Sequence, residues 1–172
     1  YWQLRSRISA SDMVTSYIEN SKLVVRPRKQ GVSAQYYVGL QEFPEMSFFM
    51  HYLRSEDRFY DIGAYAGVYS VLGAAVAGAR GVAVEADENN FTYLNEMLRL
   101  NGISDKVRSI HSVIGDSPEH VYFSPDKDTV GSVVNGHGSG GAVPVKSITL
   151  DHLRTLYGVP HCMKIDIEGY EG

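Results

Sequence analysis

The sequence predicts an α/β domain built on a doubly wound, mostly parallel sheet. From Arg58 onward, apolar runs of strand length alternate with apolar runs at helical spacing. A turn containing Gly63 and Gly67 separates the first such strand from its helix, and a second acid, Glu85, ends the next strand. This alternation is typical of parallel strands joined by crossover helices.

The chain divides into an N-terminal attachment, residues 1–43, and a core domain, residues 44–172. In the attachment we predict short strands over residues 23–26 and 35–39, separated by a Pro-Arg-Lys-Gln-Gly turn. Pro44 suits the first turn of a helix that reaches Arg54, because its apolar residues recur at helical spacing.

The core elements follow from periodicity and from stop signals. The predicted order is a strand from 58 to 61, a helix over 68–77, a strand over 81–85, a helix over 88–101, a strand over 107–113, a short strand over 120–123, a helix from Thr149 to 157 and a fourth core strand over 162–166. The glycine-rich segment 135–141 is either a surface turn or a substrate lid, and the plain turn is favoured because no helix and lysine of a phosphate-binding loop follow it.

The glycine turn indicates the class of ligand. Its spacing differs from the Gly-x-Gly-x-x-Gly of dinucleotide sites, and Asp61 ends the strand before it. A carboxylate there would repel a pyrophosphate and attract the ammonium group of an amino acid. Glu85 stands where a doubly wound sheet holds ribose hydroxyls. We therefore predict S-adenosylmethionine as the cofactor rather than a nicotinamide dinucleotide.

Several strings together resemble those of FkbM-type methyltransferases. They are Asp61-Ile-Gly-Ala-Tyr-Ala-Gly-Val-Tyr-Ser70, Val-Glu85-Ala, Leu98-Arg-Leu-Asn101-Gly102, Val113-Ile-Gly-Asp116, Ser147-Ile-Thr-Leu-Asp151 and Lys164-Ile-Asp-Ile-Glu-Gly-Tyr-Glu171. The resemblance covers roughly residues 39–172. It implies a Rossmann-like class I enzyme that uses S-adenosylmethionine and typically methylates a hydroxyl oxygen.

The glycine turn, the strand ends and the resemblance together give the expected cofactor site. Its residues are Asp61, Gly63, Ala64, Tyr65, Gly67, Glu85, Ala86, Ser112, Val113 and Asp166. Tyr65 replaces a glycine that many methyltransferases outside this family have, and we expect it to narrow the pocket near the methionine tail.

The catalytic candidates are Asp166, Glu168 and Lys164. Asp166 ends the fourth core strand, where ligands bind in open α/β sheets, and could act as general base, metal ligand or anchor for the acceptor hydroxyl. Glu168 and Glu171 could help it hold a divalent cation, or could merely cap a helix and face solvent. Lys164 is as well explained by an ion pair as by a catalytic role.

Composition narrows the partners and the location. The formal charge is −4 and the pI about 5.8, so no nucleic acid substrate is expected. No apolar run is long enough to span a membrane, and the lone Cys162 suits a reducing compartment, which makes the cytoplasm the default location. The six histidines lack metal-ligand spacing.

Three functions remain open at this point. The first is an S-adenosylmethionine-dependent O-methyltransferase acting on a small molecule or a sugar. The second is a nicotinamide-dependent oxidoreductase, and the third is a non-catalytic binding module with the same fold. Because the chain stops just after the fourth core strand, we expect a fragment with further strands and helices missing, whose exposed sheet edge would allow homo-oligomers to form.

Overall fold

A computed structural model of the chain describes residues 12–26, 32–117, 120–124, 132–134 and 142–167. The segment 135–141, predicted as a turn or lid, lies outside the described residues, as do Glu168 and Glu171. In the described part of the chain, no helix combines the length and apolarity needed to cross a membrane.

The N-terminal segment contains an antiparallel hairpin followed by two helices. Strands β1 (Met13–Ser16) and β2 (Lys22–Val25) pair with each other, and helices α1 (Val32–Val38) and α2 (Phe43–Tyr52) follow. Strand β2 confirms the predicted strand at 23–26, and α2 confirms the helix that begins near Pro44. Apolar side chains of β2 and α2 belong to the same core as those of the central sheet.

The predicted strand over residues 35–39 is wrong, because this segment forms most of helix α1. Val32 and Gln35 are its buried residues and lie one helical turn apart. The Gln35 side chain accepts a hydrogen bond from the Tyr17 hydroxyl at 3.2 Å and one from the Gln41 amide at 3.0 Å. Burial of this helical face therefore outweighs the strand preference of the Tyr-Tyr-Val sequence that suggested a strand.

The central sheet has four parallel strands. They are β3 (Arg58–Ile62), β4 (Arg80–Glu85), β5 (Val107–His111) and β10 (Cys162–Ile165), in the spatial order β10-β3-β4-β5. Register places Lys164 beside Asp61 and Asp61 beside Ala83. All four strands point the same way, so their carboxyl ends meet at one edge of the sheet.

Helices cover both faces of this sheet. The helix after β3 starts as α3 (Val68–Val71) and continues as a π-helical turn over Leu72–Val76. It lies on the same face of the sheet as α4 (Glu88–Leu100). Helix α5 (Leu150–Tyr157) packs Leu153 on the opposite face, against Tyr60 and Val82. The Thr149 hydroxyl accepts a hydrogen bond from the His152 amide at 3.0 Å, which confirms the predicted cap of α5. The predicted α/β, doubly wound fold is thus observed.

A second, smaller sheet is inserted before the last central strand. It contains β6 (Val113–Ile114), β7 (His120–Ser124), β8 (Ser132–Val134) and β9 (Val143–Ile148), in the order β6-β9-β7-β8. The predicted single strand over 107–113 is therefore wrong at its end. Ser112 interrupts it, and its hydroxyl donates to the Lys146 carbonyl at 2.6 Å, so that Val113 pairs with β9 instead.

Candidate cofactor and methyl-transfer site

The glycine turn is anchored to the neighbouring strand β4. The amides of Gly63 and Ala64 both donate to the Val84 carbonyl oxygen, at 3.0 and 2.9 Å. Gly63 has a φ of +71° and Gly67 a φ of +78°, values that glycine adopts without steric cost. A Cβ on Gly67 would also lie 2.5 Å from Leu94 Cδ1, so the turn sits directly on helix α4.

Tyr65 occupies the middle of the turn with a positive φ of +51°. Its ring packs edge-to-face on Tyr93 of α4, with ring centroids 6.2 Å apart. The amide of Tyr65 donates to Glu85 Oε2 at 2.7 Å. The turn is therefore fixed on one side by aromatic packing and on the other by the acid at the end of β4.

Glu85 lies at the end of β4 and is 7% exposed. Its second carboxylate oxygen accepts a hydrogen bond from the Asp87 amide at 2.9 Å, and burial raises its pKa above the ordinary range. An ionised carboxylate has about four lone-pair positions, so two accepted bonds leave capacity for ligand hydroxyls. Glu85 therefore lies buried at the carboxyl end of β4 with hydrogen-bonding capacity left, and its role as the ribose acid stays a prediction.

Ser112 and Val113, two residues of the expected cofactor site, lie close to this acid. The Ser112 amide donates to the Glu85 carbonyl oxygen at 3.0 Å. Val113 is 5% exposed and belongs to a small apolar cluster against which Ala86 packs. The structure therefore brings the ends of β3, β4 and β5 together around one position. An acid and apolar side chains at one position could hold the ribose and the base of an adenosine.

Asp61 is fully buried, at 0% exposure. Its Oδ2 accepts hydrogen bonds from the amide of Ser70 at 3.0 Å and from its hydroxyl at 2.7 Å. Burial raises the pKa of Asp61, while the nearby Lys164 ammonium and the Ser70 hydrogen bonds act in the opposite direction. The sequence predicts that this acid attracts the ammonium group of a ligand amino acid, which stays a prediction. Within the structure, Asp61 instead has the Lys164 ammonium as a neighbour at 3.9 Å.

Lys164 joins the turn to two acids. Its Nζ donates to the Gly63 carbonyl oxygen at 2.9 Å and lies 3.3 Å from Asp166 Oδ2 and 3.9 Å from Asp61 Oδ1. Within the described part of the chain, Asp61 Oδ1 has no hydrogen-bond partner. The sequence leaves open an ion pair or a catalytic role for Lys164, and these contacts are those of an ion pair.

Asp166 follows β10 and lies directly beside the turn. Its amide donates to the Ile62 carbonyl oxygen at 3.0 Å, and its own carbonyl group fills the space that a side chain on Gly63 would need. The Asp166 side chain is 59% exposed. The structure thus brings this catalytic candidate to the edge of the sheet where the cofactor is expected, whereas Glu168 is outside the described residues.

A groove of about 600 Å³ opens between helix α2 and strand β10. Three carboxylates line it, those of Glu42, Glu45 and Asp166, together with the Lys164 ammonium and several apolar and aromatic side chains: Pro44, Phe48, Phe49, Tyr69, Cys162, Met163 and Ile165. The groove therefore combines acceptors for hydroxyl groups with apolar contact surface at the position of Asp166.

The predicted site residues do not include Glu42, Glu45, Phe48 and Tyr69 of this groove. The Tyr69 hydroxyl donates to Glu42 Oε2 at 2.6 Å and so connects the start of α3 to α2. Phe48 is 60% exposed. It lies off the buried stripe of its helix, and an aromatic residue outside that stripe is the signal that could have identified it.

The divalent-cation hypothesis is not supported by a ligand cluster. Within residues that the structure describes, no group of three or more histidine, cysteine, aspartate or glutamate side chains is arranged to hold a metal ion. Glu168 and Glu171, which the hypothesis uses, lie outside that part.

A family model described as the methyltransferase FkbM domain matches residues 61–172. This range includes the turn, Glu85, Ser112 and the Lys164–Asp166 segment. A search of curated proteins gave no match.

The structure is also similar to parts of solved methyltransferases. TYW2 of Pyrococcus horikoshii, solved with MeSAdo, is 18% identical with a TM-score of 0.48, over 65% of this chain and 40% of that one. An RNA methyltransferase from Salinibacter ruber, solved with S-adenosyl-L-homocysteine, is 24% identical with a TM-score of 0.38, over 41% and 47%. A SAM-dependent methyltransferase from Agrobacterium tumefaciens is 16% identical with a TM-score of 0.44, over 58% and 31%. The chain thus spans less than half the length of each.

Proposed function

Because this chain belongs to the FkbM methyltransferase family, we propose that it transfers a methyl group from S-adenosylmethionine to a hydroxyl oxygen of a small molecule or a sugar. The observation that carries the proposal is the contact between Asp166 and the glycine turn. The Asp166 backbone packs against this turn while Asp166 also lines the groove, which supports a role for its carboxylate between the expected cofactor positions and the acceptor.

The residues around Glu85 would hold the cofactor. The Glu85 carboxylate would accept hydrogen bonds from the ribose hydroxyls, Ala86 and Val113 would contact the adenine, and the turn from Gly63 to Gly67 would lie under the methionine portion. When bound, S-adenosylmethionine supplies an electrophilic methyl group on a positively charged sulfur. Little covalent chemistry is then required of the protein beyond alignment and removal of one proton.

Asp166 would accept the proton of the acceptor hydroxyl as methyl transfer proceeds. Its carboxylate borders the groove, is exposed enough to meet an acceptor, and is held on one side by Lys164 at 3.3 Å. Lys164 is in turn fixed by the Gly63 carbonyl oxygen, so the base and the cofactor turn are positioned by the same side chain. A general base positioned in this way typically contributes about 10²–10⁴-fold to a rate.

The composition of the groove favours a hydroxylated acceptor. Carboxylates of Glu42, Glu45 and Asp166 accept hydrogen bonds from hydroxyls, and the exposed Phe48 ring offers an apolar face to the carbon skeleton of a sugar. The Salinibacter ruber protein is named an RNA methyltransferase. In this chain the same three carboxylates would repel a phosphate backbone, which argues against RNA as the acceptor.

A methyl-transfer assay with radiolabelled S-adenosylmethionine tests the proposal. We expect the purified chain to label at least one member of a panel of sugars and polyols, and not an RNA transcript. Asp166→Asn should lower turnover about 10²–10⁴-fold, far more than it weakens the binding of S-adenosylhomocysteine.

The matched control is Asp151→Asn, an exposed aspartate on helix α5. It should keep the full rate. Labelling of RNA alone, or a wild-type rate in Asp166→Asn, would contradict the proposal.

A further inference from the structure

At the amino ends of the central strands, on the edge opposite the glycine turn, the chain has a strongly basic cavity. Its volume is about 340 Å³, and four cationic side chains line it: Arg58, Arg80, Lys106 and Arg108. We propose that this cavity is a binding site for a compact phosphate-bearing ligand, such as a phosphate monoester or a diphosphate. The methyl-transfer chemistry proposed above does not use it.

Strand register places three of these cations on one face of the sheet. Arg58 pairs with Arg80, and Arg108 pairs with Val82. Because side chains alternate along a strand, Arg80 and Arg108 lie on the same side as Val82, and Arg58 lies there as well. Tyr157 of α5 lines the cavity from that side. Arg58 and Arg80 are direct neighbours, about 5 Å apart at the backbone. Arg108 lies opposite Val82, two residues beyond Arg80, so its side chain is diagonal to that of Arg80 on the same face.

Among the described residues, no carboxylate is paired with these four cations. Asp105 also lines the cavity but is not paired with any of them, and the nearby Asp57 instead contacts His161 at 3.5 Å. Like charges directly opposite each other on adjacent strands destabilise a sheet, so a bound anion would relieve a repulsion already present in the fold.

Arg58 is held in place from two sides. Its amide donates to His161 Nδ1 at 3.0 Å, and its carbonyl oxygen accepts a bond from the His161 amide at 2.7 Å. A Cβ on Gly158 would lie 2.6 Å from the Arg58 guanidinium nitrogen Nη1, so the guanidinium packs against bare backbone. The His161 bonds fix the Arg58 backbone, and the contact with Gly158 restricts the guanidinium, so less side-chain entropy is lost when it binds an oxyanion.

The chemistry of the lining selects phosphate over carboxylate ligands. A guanidinium group can donate two parallel hydrogen bonds to two oxygens of one phosphate group. Several converging cations also favour a ligand that carries more than one negative charge. Ser104 and Tyr157 add hydroxyl groups at the wall. The small volume suits one or two phosphate groups rather than a length of nucleic acid.

Thermal unfolding in inorganic phosphate tests the proposal, with chloride added to keep the ionic strength constant. We expect a saturable rise in Tm for the wild-type chain and tighter binding of pyrophosphate than of phosphate. Arg80→Gln and Arg108→Gln should each weaken phosphate binding about tenfold or more, as expected for loss of a charged hydrogen bond. Both side chains are exposed, so the variants should fold, and in phosphate-free buffer they should be no less stable than the wild type.

The matched control is Arg99→Gln, an exposed arginine of helix α4 outside the cavity. It should respond to phosphate as the wild type does. An equal response of all the variants, or no response of the wild type, would overturn the proposal. A short single-stranded RNA that binds more tightly than pyrophosphate and loses affinity in the same variants would also overturn it, in favour of a nucleic-acid surface.

Discussion

Replacing Gly63 with alanine should damage the contact between the glycine turn and strand β10. Gly63 has a φ of +71°, and a Cβ there would overlap the Asp166 carbonyl oxygen and lie 2.9 Å from its carbonyl carbon. The left-handed conformation costs an alanine about 1–2 kcal/mol. The collision is with backbone atoms that cannot rotate away, and overpacking of this kind costs about 1–3 kcal/mol more.

The variant Gly102→Ala separates the cost of the left-handed conformation from the cost of the steric collision. Gly102 has a φ of +63°, and a Cβ there would meet nothing within 4 Å, so this control carries the conformational cost without the collision. We expect Gly63→Ala to be less stable than Gly102→Ala by about 1–3 kcal/mol. At a typical urea dependence of about 2 kcal/mol per molar, the midpoints should differ by roughly 0.5–1.5 M.

Equilibrium urea unfolding gives the stabilities, and calorimetric titration gives the affinity for S-adenosylhomocysteine. Gly63→Ala should also bind this ligand more weakly, because relief of the collision must move either the turn or the Asp166 backbone. Gly102→Ala should bind it as the wild type does. Equal losses of stability in the two variants would refute the argument that the turn presses on β10.

Two further predictions concern the buried acid beneath the turn. Ser70→Ala removes a 2.7 Å hydrogen bond to Asp61 in a fully buried site, so it should lower the free energy of unfolding in urea by about 1.5–3 kcal/mol. The control Ser55→Ala, at an exposed position, should change this free energy by less than about 0.5 kcal/mol. A small effect of Ser70→Ala would show that the bond contributes little. Burial raises the pKa of Asp61 above its ordinary 3.8, so the folded chain binds the proton of the Asp61 carboxyl group more tightly than the unfolded chain does. Protonation of Asp61 therefore stabilises the fold. This contribution to the free energy of unfolding is complete below pH 3.8 and is lost as pH rises through the folded-state pKa. The free energy of unfolding of the wild type minus that of Asp61→Asn should therefore decrease between pH 4 and pH 8. A difference that stays constant or increases with pH would contradict the raised pKa.

Much of the fold could be predicted because burial imposes a clear period on the sequence. Helix α4 buries Tyr93, Leu94, Met97 and Leu98 along one side, and β3 and β4 are almost entirely buried, so both patterns are visible without coordinates. Helix α1 could not be predicted in this way. Its buried residues are only Val32 and Gln35, and the second is polar and satisfied by Tyr17, a partner that is distant in sequence.

Some contacts of the candidate site could likewise be predicted from the sequence, and others could not. Glu85 and Ser112 could be placed near each other because the carboxyl ends of neighbouring parallel strands necessarily meet. The neighbour of Asp61 could not be predicted, since it depends on the register that sets Lys164 opposite Asp61 across β10 and β3. Register also decides that Val113 leaves the central sheet for β9. Pairing between distant strands is set by the whole fold and leaves no local pattern in the sequence.

Calorimetric titration of the purified chain with S-adenosylhomocysteine, with NADH alongside, tests the assigned cofactor site most directly. We predict saturable binding of S-adenosylhomocysteine and no binding of NADH. Glu85→Gln should weaken the interaction, and Glu88→Gln, at an exposed position in the first turn of α4, should leave it unchanged. Binding of NADH in place of S-adenosylhomocysteine, or an affinity for S-adenosylhomocysteine that survives Glu85→Gln intact, would contradict the assigned site.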